Sequence, residues 1–222
     1  MKFHLLLFAT AVCYAFIGVF VKMIDGMHPL VIAFFRIVVG LLLLIIIVPF
    51  LDKNCIANLK SDPWRFALLG LIAAVNFATF TTAFIYAPIT NVILFSSSYA
   101  IWAVIFAWVF MREEVTKQEL VAIGACMMGI VFLNPLQQAS FIGNMLALAC
   151  GLFYGIHLAY FRKELKTHSL STALWTLLFS SVFLLPAPFI LGVGDFMPDL
   201  KWLILLGVLC TGMAQLMLNI GL

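Results

Sequence analysis

Eight apolar runs, most about as long as a bilayer is thick, succeed one another along this chain with only short polar or charged links between them. They cover Phe3–Val21, Leu30–Leu51, Phe66–Tyr86, Asn91–Met111, Leu120–Leu133, Phe141–Phe161, Leu170–Val193 and Trp202–Leu222. A hydrocarbon core about 30 Å thick needs roughly 20 apolar residues per helix. The fifth run is short and is expected to recruit flanking residues, from about Gln118 to Leu136. Lipid offers no partners to an open backbone, so each run must be helical or part of a closed barrel. Nothing here shows the residue-by-residue alternation of a barrel strand. Composition agrees: 65% of residues are hydrophobic and 9% charged, against about 25% charged in soluble domains. The expected fold is therefore an all-α polytopic membrane protein of about eight transmembrane helices.

The basic residues set the orientation. Lys2, Lys53, Lys60, Arg65, Arg112, Lys117, Arg162, Lys163 and Lys166 fall on one side of such a bundle, and only Lys22 and Lys201 on the other. The links Ala87–Thr90 and Asn134–Ser140 hold neither Lys nor Arg. Positive loops stay in the cytoplasm, which puts the N-terminus inside. The same charges serve topology rather than nucleic-acid binding. Val12 precedes Cys13 where a lipoprotein signal would have a small residue, and further spans follow Lys22, so the first run reads as a retained helix.

Cys13, Cys55, Cys126, Cys150 and Cys210 form no CxxC pair and have no His at ligand spacing. Four of them lie in apolar runs, where a thiol behaves as a small hydrophobe. Neither a disulfide framework nor a metal site is expected, and no cofactor. No nucleophile elbow or phosphate loop occurs. Glu113 and Glu114 sit beside Arg112 and Lys117 as a solvated charge cluster rather than a catalytic pair.

Two stretches recur. Cys13-x-x-Phe16-x-Gly18 stands beside Cys150-x-x-Phe153-x-Gly155, and Trp64…Gly70-Leu beside Trp202…Gly207-Val, both at an offset of about 137 residues. Five helices separate the copies, and an odd number per repeat makes the second copy insert upside down. That is the inverted-repeat plan of many secondary transporters.

With these residues in view the chain resembles the EamA-type members of the drug/metabolite transporter superfamily. The resemblance rests on Ala15-Phe-Ile-Gly18 with Lys22, Pro29-Leu-Val-Ile-Ala33-Phe-Phe-Arg36, Tyr86-Ala-Pro88-Ile-Thr-Asn, Glu113-Glu114-Val-x-x-Gln118, Gly124-x-x-x-x-Gly129-Ile and Gly143-Asn144-x-x-Ala147-Leu-x-x-Gly151. It implies a ten-helix 5+5 architecture, with a first repeat over residues 1–135 and a second, of three helices, over 142–222. On that pattern two more helices would follow Leu222, and the chain is expected to be an incomplete reading of a ten-helix protein. Family members carry a proline near the middle of the fourth helix, where this chain reads Ser98-Tyr99-Ala100.

The expected function is transport of a small polar metabolite, such as an amino acid or nucleoside, across the cell membrane by alternating access. The alternatives are a non-transporting assembly subunit or a membrane-embedded enzyme. Partners are a small-molecule substrate and the bilayer, with a homodimer open. Arg36 is the charged residue deep in a span, costing about 2.5–3.5 kcal/mol at a helix centre; it either lines a cavity or snorkels outward. Asn76, Thr79 and Thr82 share a helix face, Tyr99 and Trp102 crowd the fourth helix with Ser96–Ser98, and Gln215 and Asn219 lie four apart on the eighth. Singly, each is accounted for by interhelical hydrogen bonding; together, Arg36, Asn76, Thr79, Tyr99, Trp102, Gln215 and Asn219 are the substrate-cavity candidates. His157 is a weaker candidate for a proton relay. The small-residue stripe Ala147-x-x-x-Gly151-x-x-x-Gly155 reads as close packing within the bundle or as a dimer seal.

Overall fold

The computed structural model describes residues 2–53, 55–61, 63–112, 114–133, 141–194 and 196–221. Glu113 and the link Asn134–Ser140 lie outside them. The described residues form an all-α membrane protein: α1 (Lys2–Ala15), α2 (Ile17–Lys22), α3 (Pro29–Leu51), α4 (Cys55–Ser61), α5 (Pro63–Tyr86), α6 (Ile89–Ser96), α7 (Tyr99–Met111), α8 (Lys117–Leu133), α9 (Phe141–Leu184), α10 (Pro186–Leu191), α11 (Phe196–Gly207), a π-helical turn (Val208–Met213) and α12 (Ala214–Gly221). Among the described residues six stretches are long and apolar enough to cross a membrane: Pro29–Leu51, Pro63–Tyr86, Ile89–Phe110, Phe141–Tyr160, Leu170–Leu191 and Phe196–Ile220. The first and fifth runs of the sequence correspond to shorter apolar helices, Phe8–Lys22 and Leu120–Gly129.

Local chemistry explains where several helices begin and end. His28 caps α3 by accepting the Leu30 N–H on Nδ1 at 3.3 Å, and Pro29 takes the first helical position, where a missing N–H costs nothing. At the end of α7, Arg112 adopts φ 54°, the left-handed C-terminal turn, and its positive charge suits the helix's negative end. The fourth run is interrupted without a proline. Ser97 Oγ donates to the Ile93 carbonyl at 2.7 Å and Ser96 Oγ to the same carbonyl at 3.1 Å. Such back-bonding competes with the helix ladder and bends it, and Ser98 N falls to the tighter i−3 bond with Phe95.

One expected link proves helical. The charged stretch Arg162–Ser169 separates the sixth and seventh runs in the sequence, yet α9 continues from Phe141 through Leu184. The division rested on charge, and no Gly or Pro lies between Gly155 and Pro186. Backbone without a breaker can stay helical through a polar segment, and the break comes at Leu185, ahead of Pro186.

By packing, the chain divides into two units, residues 1–74 with 164–222, and residues 75–163. In the first, α3 packs on α11 and the π-helical turn, and α1 on α12. Val31, Ile32, Ile37, Leu44, Leu203 and Leu206 are fully buried there. Phe20 stacks on Trp202 at 6.1 Å and Phe35 meets Phe196 at 5.0 Å. Gly70 lies so close to Phe179 that a side chain would collide, and Ser180 Oγ donates to the Gly70 carbonyl at 2.9 Å. Asn58 and Ser171 make a buried hydrogen bond of 2.9 Å, beside Trp175 Nε1 donating to the Cys55 carbonyl.

Burial pushes the Cys55 thiol above the ordinary range and Asp52 adds to this, against the smaller opposing effect of Trp175. Less thiolate forms at neutral pH, and the thiolate is the nucleophile. Alkylation of Cys55 by a maleimide, followed by mass spectrometry, should therefore be slow. Its rate should keep rising above the ordinary thiol pKa of about 8.5; a plateau near that value would contradict the assignment.

In the second unit, α9 packs against α6 and α7 through the small-residue stripe. Gly151 abuts Ser98 and the Ser96 carbonyl, and Gly155 abuts Trp102 and the Tyr99 carbonyl. Ala147 is fully buried. The stripe is thus an intramolecular contact.

Candidate functional site

The sequence-predicted residues fall into two groups, one in each unit. Arg36, Gln215 and Asn219 belong to the first, and Asn76, Thr79, Tyr99 and Trp102 to the second.

In the first unit Arg36 is 1% exposed, so its guanidinium ends among packed helices rather than at solvent. Its Nε donates to Thr211 Oγ1 at 3.3 Å. Thr211 was not among the sequence candidates, although its signal was present: Thr211, Gln215 and Asn219 are spaced four apart and share one face of the last span. Tyr14, also missed, donates its hydroxyl to Gln215 Oε1 at 3.4 Å. Asn219 is 4% exposed and gives its Nδ2 to the Gln215 carbonyl at 2.7 Å. Among the described residues its Oδ1 has no partner. The result is a polar ladder on an otherwise apolar span, meeting α3 through Thr211 and α1 through Gln215. It combines a fixed positive charge with amide groups that can both donate and accept.

In the second unit Asn76 spans two helices, its Nδ2 donating to the Cys150 carbonyl at 3.0 Å. Thr79 and Thr82 turn back onto their own helix, bonding Val75 and Ala78 carbonyls at 2.8 and 2.7 Å. Tyr99 meets Tyr154 edge-on at 5.0 Å, and Tyr154 stacks on His157 at 6.3 Å. Tyr99 is 37% exposed while His157 is 7% exposed. The rings of Tyr99, Tyr154 and His157 form an aromatic cluster, and Trp102, three residues on from Tyr99, sets its Cβ against Gly155.

Two buried groups escaped the sequence reading. Asn91 had marked the edge of a run; it is 1% exposed on the first turn of α6, and both ends of its amide lack a partner among the described residues. Thr81, between the two threonines chosen, is fully buried with its hydroxyl equally unmatched. Among the described residues no group of three or more His, Cys, Asp or Glu is placed to hold a metal.

A profile of the EamA-like transporter family matches residues 1–134. A search of curated proteins found no match to this sequence. Among solved structures, one crystal structure superposes on 98% of this chain and 77% of its own, with a TM-score of 0.71 at 15% identity. At that identity the likeness is one of fold.

Proposed function

The chain belongs to the EamA-like transporter family, and from that premise we propose that it moves a small polar metabolite, an amino acid, nucleoside or related solute, across the cell membrane by alternating access. The observation that carries this reading is the charge of Arg36, buried inside a 23-residue apolar span. Charged groups at such depth are costly and mark substrate or ion pathways. In the first unit Arg36, Gln215 and Asn219 are assigned to contact substrate. In the second, Asn76, Thr79, Tyr99 and Trp102 are assigned the same role. The repeats over residues 1–135 and 142–222 are read as an inverted pair, with the N-terminus in the cytoplasm and the multi-pass chain in the plasma or inner membrane.

Flux decides the function. Proteoliposomes loaded with radiolabelled amino acids, nucleosides or sugar phosphates should show protein-dependent movement of one class, competed by its unlabelled members. No flux above empty vesicles for every class would overturn the reading. Orientation has its own measurement. A single cysteine at Gln118 or Thr167 in a cysteine-free background should react with a membrane-impermeant maleimide only after cells are permeabilised, whereas labelling of intact cells at either position would invert the topology.

A further inference from the structure

The last span departs from α-helical geometry where it faces Arg36. Residues Val208–Met213 form a π-helical turn, with Cys210, Thr211 and Gly212 buried. Such turns place one extra residue per turn and recur at functional positions in helices. Here the consequence is specific. Thr211 Oγ1 donates to the Leu206 carbonyl, five residues back, at 3.2 Å. An α-helical threonine reaches only the carbonyls three or four residues back. The hydroxyl's one proton is thereby committed along its own helix, leaving its lone pairs to accept from Arg36 Nε.

Close packing keeps this arrangement in register. Gly40, one turn after Arg36 on α3, lies against Thr211; an added Cβ would stand 2.9 Å from Thr211 Cγ2 and 3.1 Å from Gly212 N. Gly207 and Gly212 meet α3 in return, at Val39 and at the Gly40 carbonyl. The two backbones approach at the π-helical turn, and Thr211 is 3% exposed.

We propose that Thr211 is a positioning residue for Arg36. It grips the guanidinium by Nε and fixes the plane of the fork, and the π-helical turn exists to bring that hydroxyl within reach. The assignment rests on the reading of Arg36 as a substrate-contacting group for its role in transport, but not for its geometry. A planar fork recognises carboxylate or phosphate by orientation as well as charge, so an unfixed Arg36 would keep its charge and lose its aim.

The test uses the full chain in detergent and phenylglyoxal as the probe, with modification of Arg36 followed by peptide mass spectrometry. The exposed Arg65 in the same digest serves as the reference. Thr211→Val preserves shape and removes the hydroxyl; it should speed Arg36 modification about tenfold, the ratio a charge-assisted hydrogen bond commands. Thr211→Ser restores the hydroxyl and should return the rate to within about twofold of the parent, a rescue that packing alone would not produce. An unchanged rate in Thr211→Val, or a Thr211→Ser rate equal to it, overturns the proposal. Should Thr211→Val not fold, the parent decides through hydrogen exchange at the Arg36 Nε–H, identified by its loss in Arg36→Lys. Exchange much slower than at Arg65 supports the grip, and equal exchange refutes it. None of these readouts requires flux, so absent transport would defeat the proposed function while leaving this assignment to stand or fall separately.

Discussion

Replacing Arg36 by alanine is expected to lower transport by about ten- to a hundredfold in vesicles, with membrane insertion and expression little changed. The magnitude follows from a hydrogen bond to a charged group, worth about 1.5–3 kcal/mol, and a factor of ten for each 1.4 kcal/mol. Stability should suffer less than transport, because Thr211 keeps its own bond to the Leu206 carbonyl when the guanidinium is gone. Truncation thus leaves no buried donor stranded on the last span. Arg36→Lys is the finer measurement. An ammonium is a point charge and cannot reproduce a fork held edge-on by Thr211, so the lysine variant should recover little of the lost flux. Alanine and lysine variants that both transport at the parent rate, at equal expression, would remove Arg36 from the substrate path.

A second large effect is expected at the crossing of α3 with the last span. Gly40→Val should lower stability by about 3 kcal/mol, the upper end of what overpacking a close contact costs. The neighbours leave it no room: a Cβ at Gly40 meets Thr211 Cβ at 3.0 Å and the Gly212 backbone nitrogen at 3.1 Å. Backbone cannot swing aside as a flexible side-chain tip can. The measurement is the midpoint of thermal unfolding in detergent. Gly124→Ala on α8 is the control: among the described residues nothing lies within 4 Å of its added Cβ, and alanine gains about 1 kcal/mol of helix propensity over glycine. A Gly40 variant as stable as its parent would mean that the helices do not cross so closely. A Gly124 variant as damaged as Gly40→Val would mean that glycine replacement harms this protein for reasons unrelated to contact.

The family, too, was legible in short runs such as Pro29 to Arg36, and the matched region, residues 1–134, contains most of the quoted motifs. The candidate site was only half legible. Gln215 and Asn219 stood out because amides are rare in apolar spans. Thr211 did not, because a threonine in such a span usually bonds its own helix and carries no charge to advertise it. Thr79, Thr82 and Thr211 all donate to carbonyls of their own span; what sets Thr211 apart is that it also accepts from Arg36 on another helix.

Hydropathy by itself determined that this chain is helical and lives in a membrane, since lipid leaves the backbone no other way to satisfy its polar groups. It also placed a costly charge within the second span. Only the tertiary structure decided that this charge meets Thr211, which is 175 residues distant in sequence. Single hydrogen bonds and the presence or absence of a breaker, which hydropathy does not register, decided where the helices bend. The fourth run breaks at serines that bond Ile93, the eighth loosens into a π-helical turn around Thr211, and α9 runs through a charged segment that hydropathy reads as a link. Hydropathy responds to the average solvent of a segment, whereas these features depend on single hydrogen bonds and on whether a neighbouring backbone leaves room for a side chain.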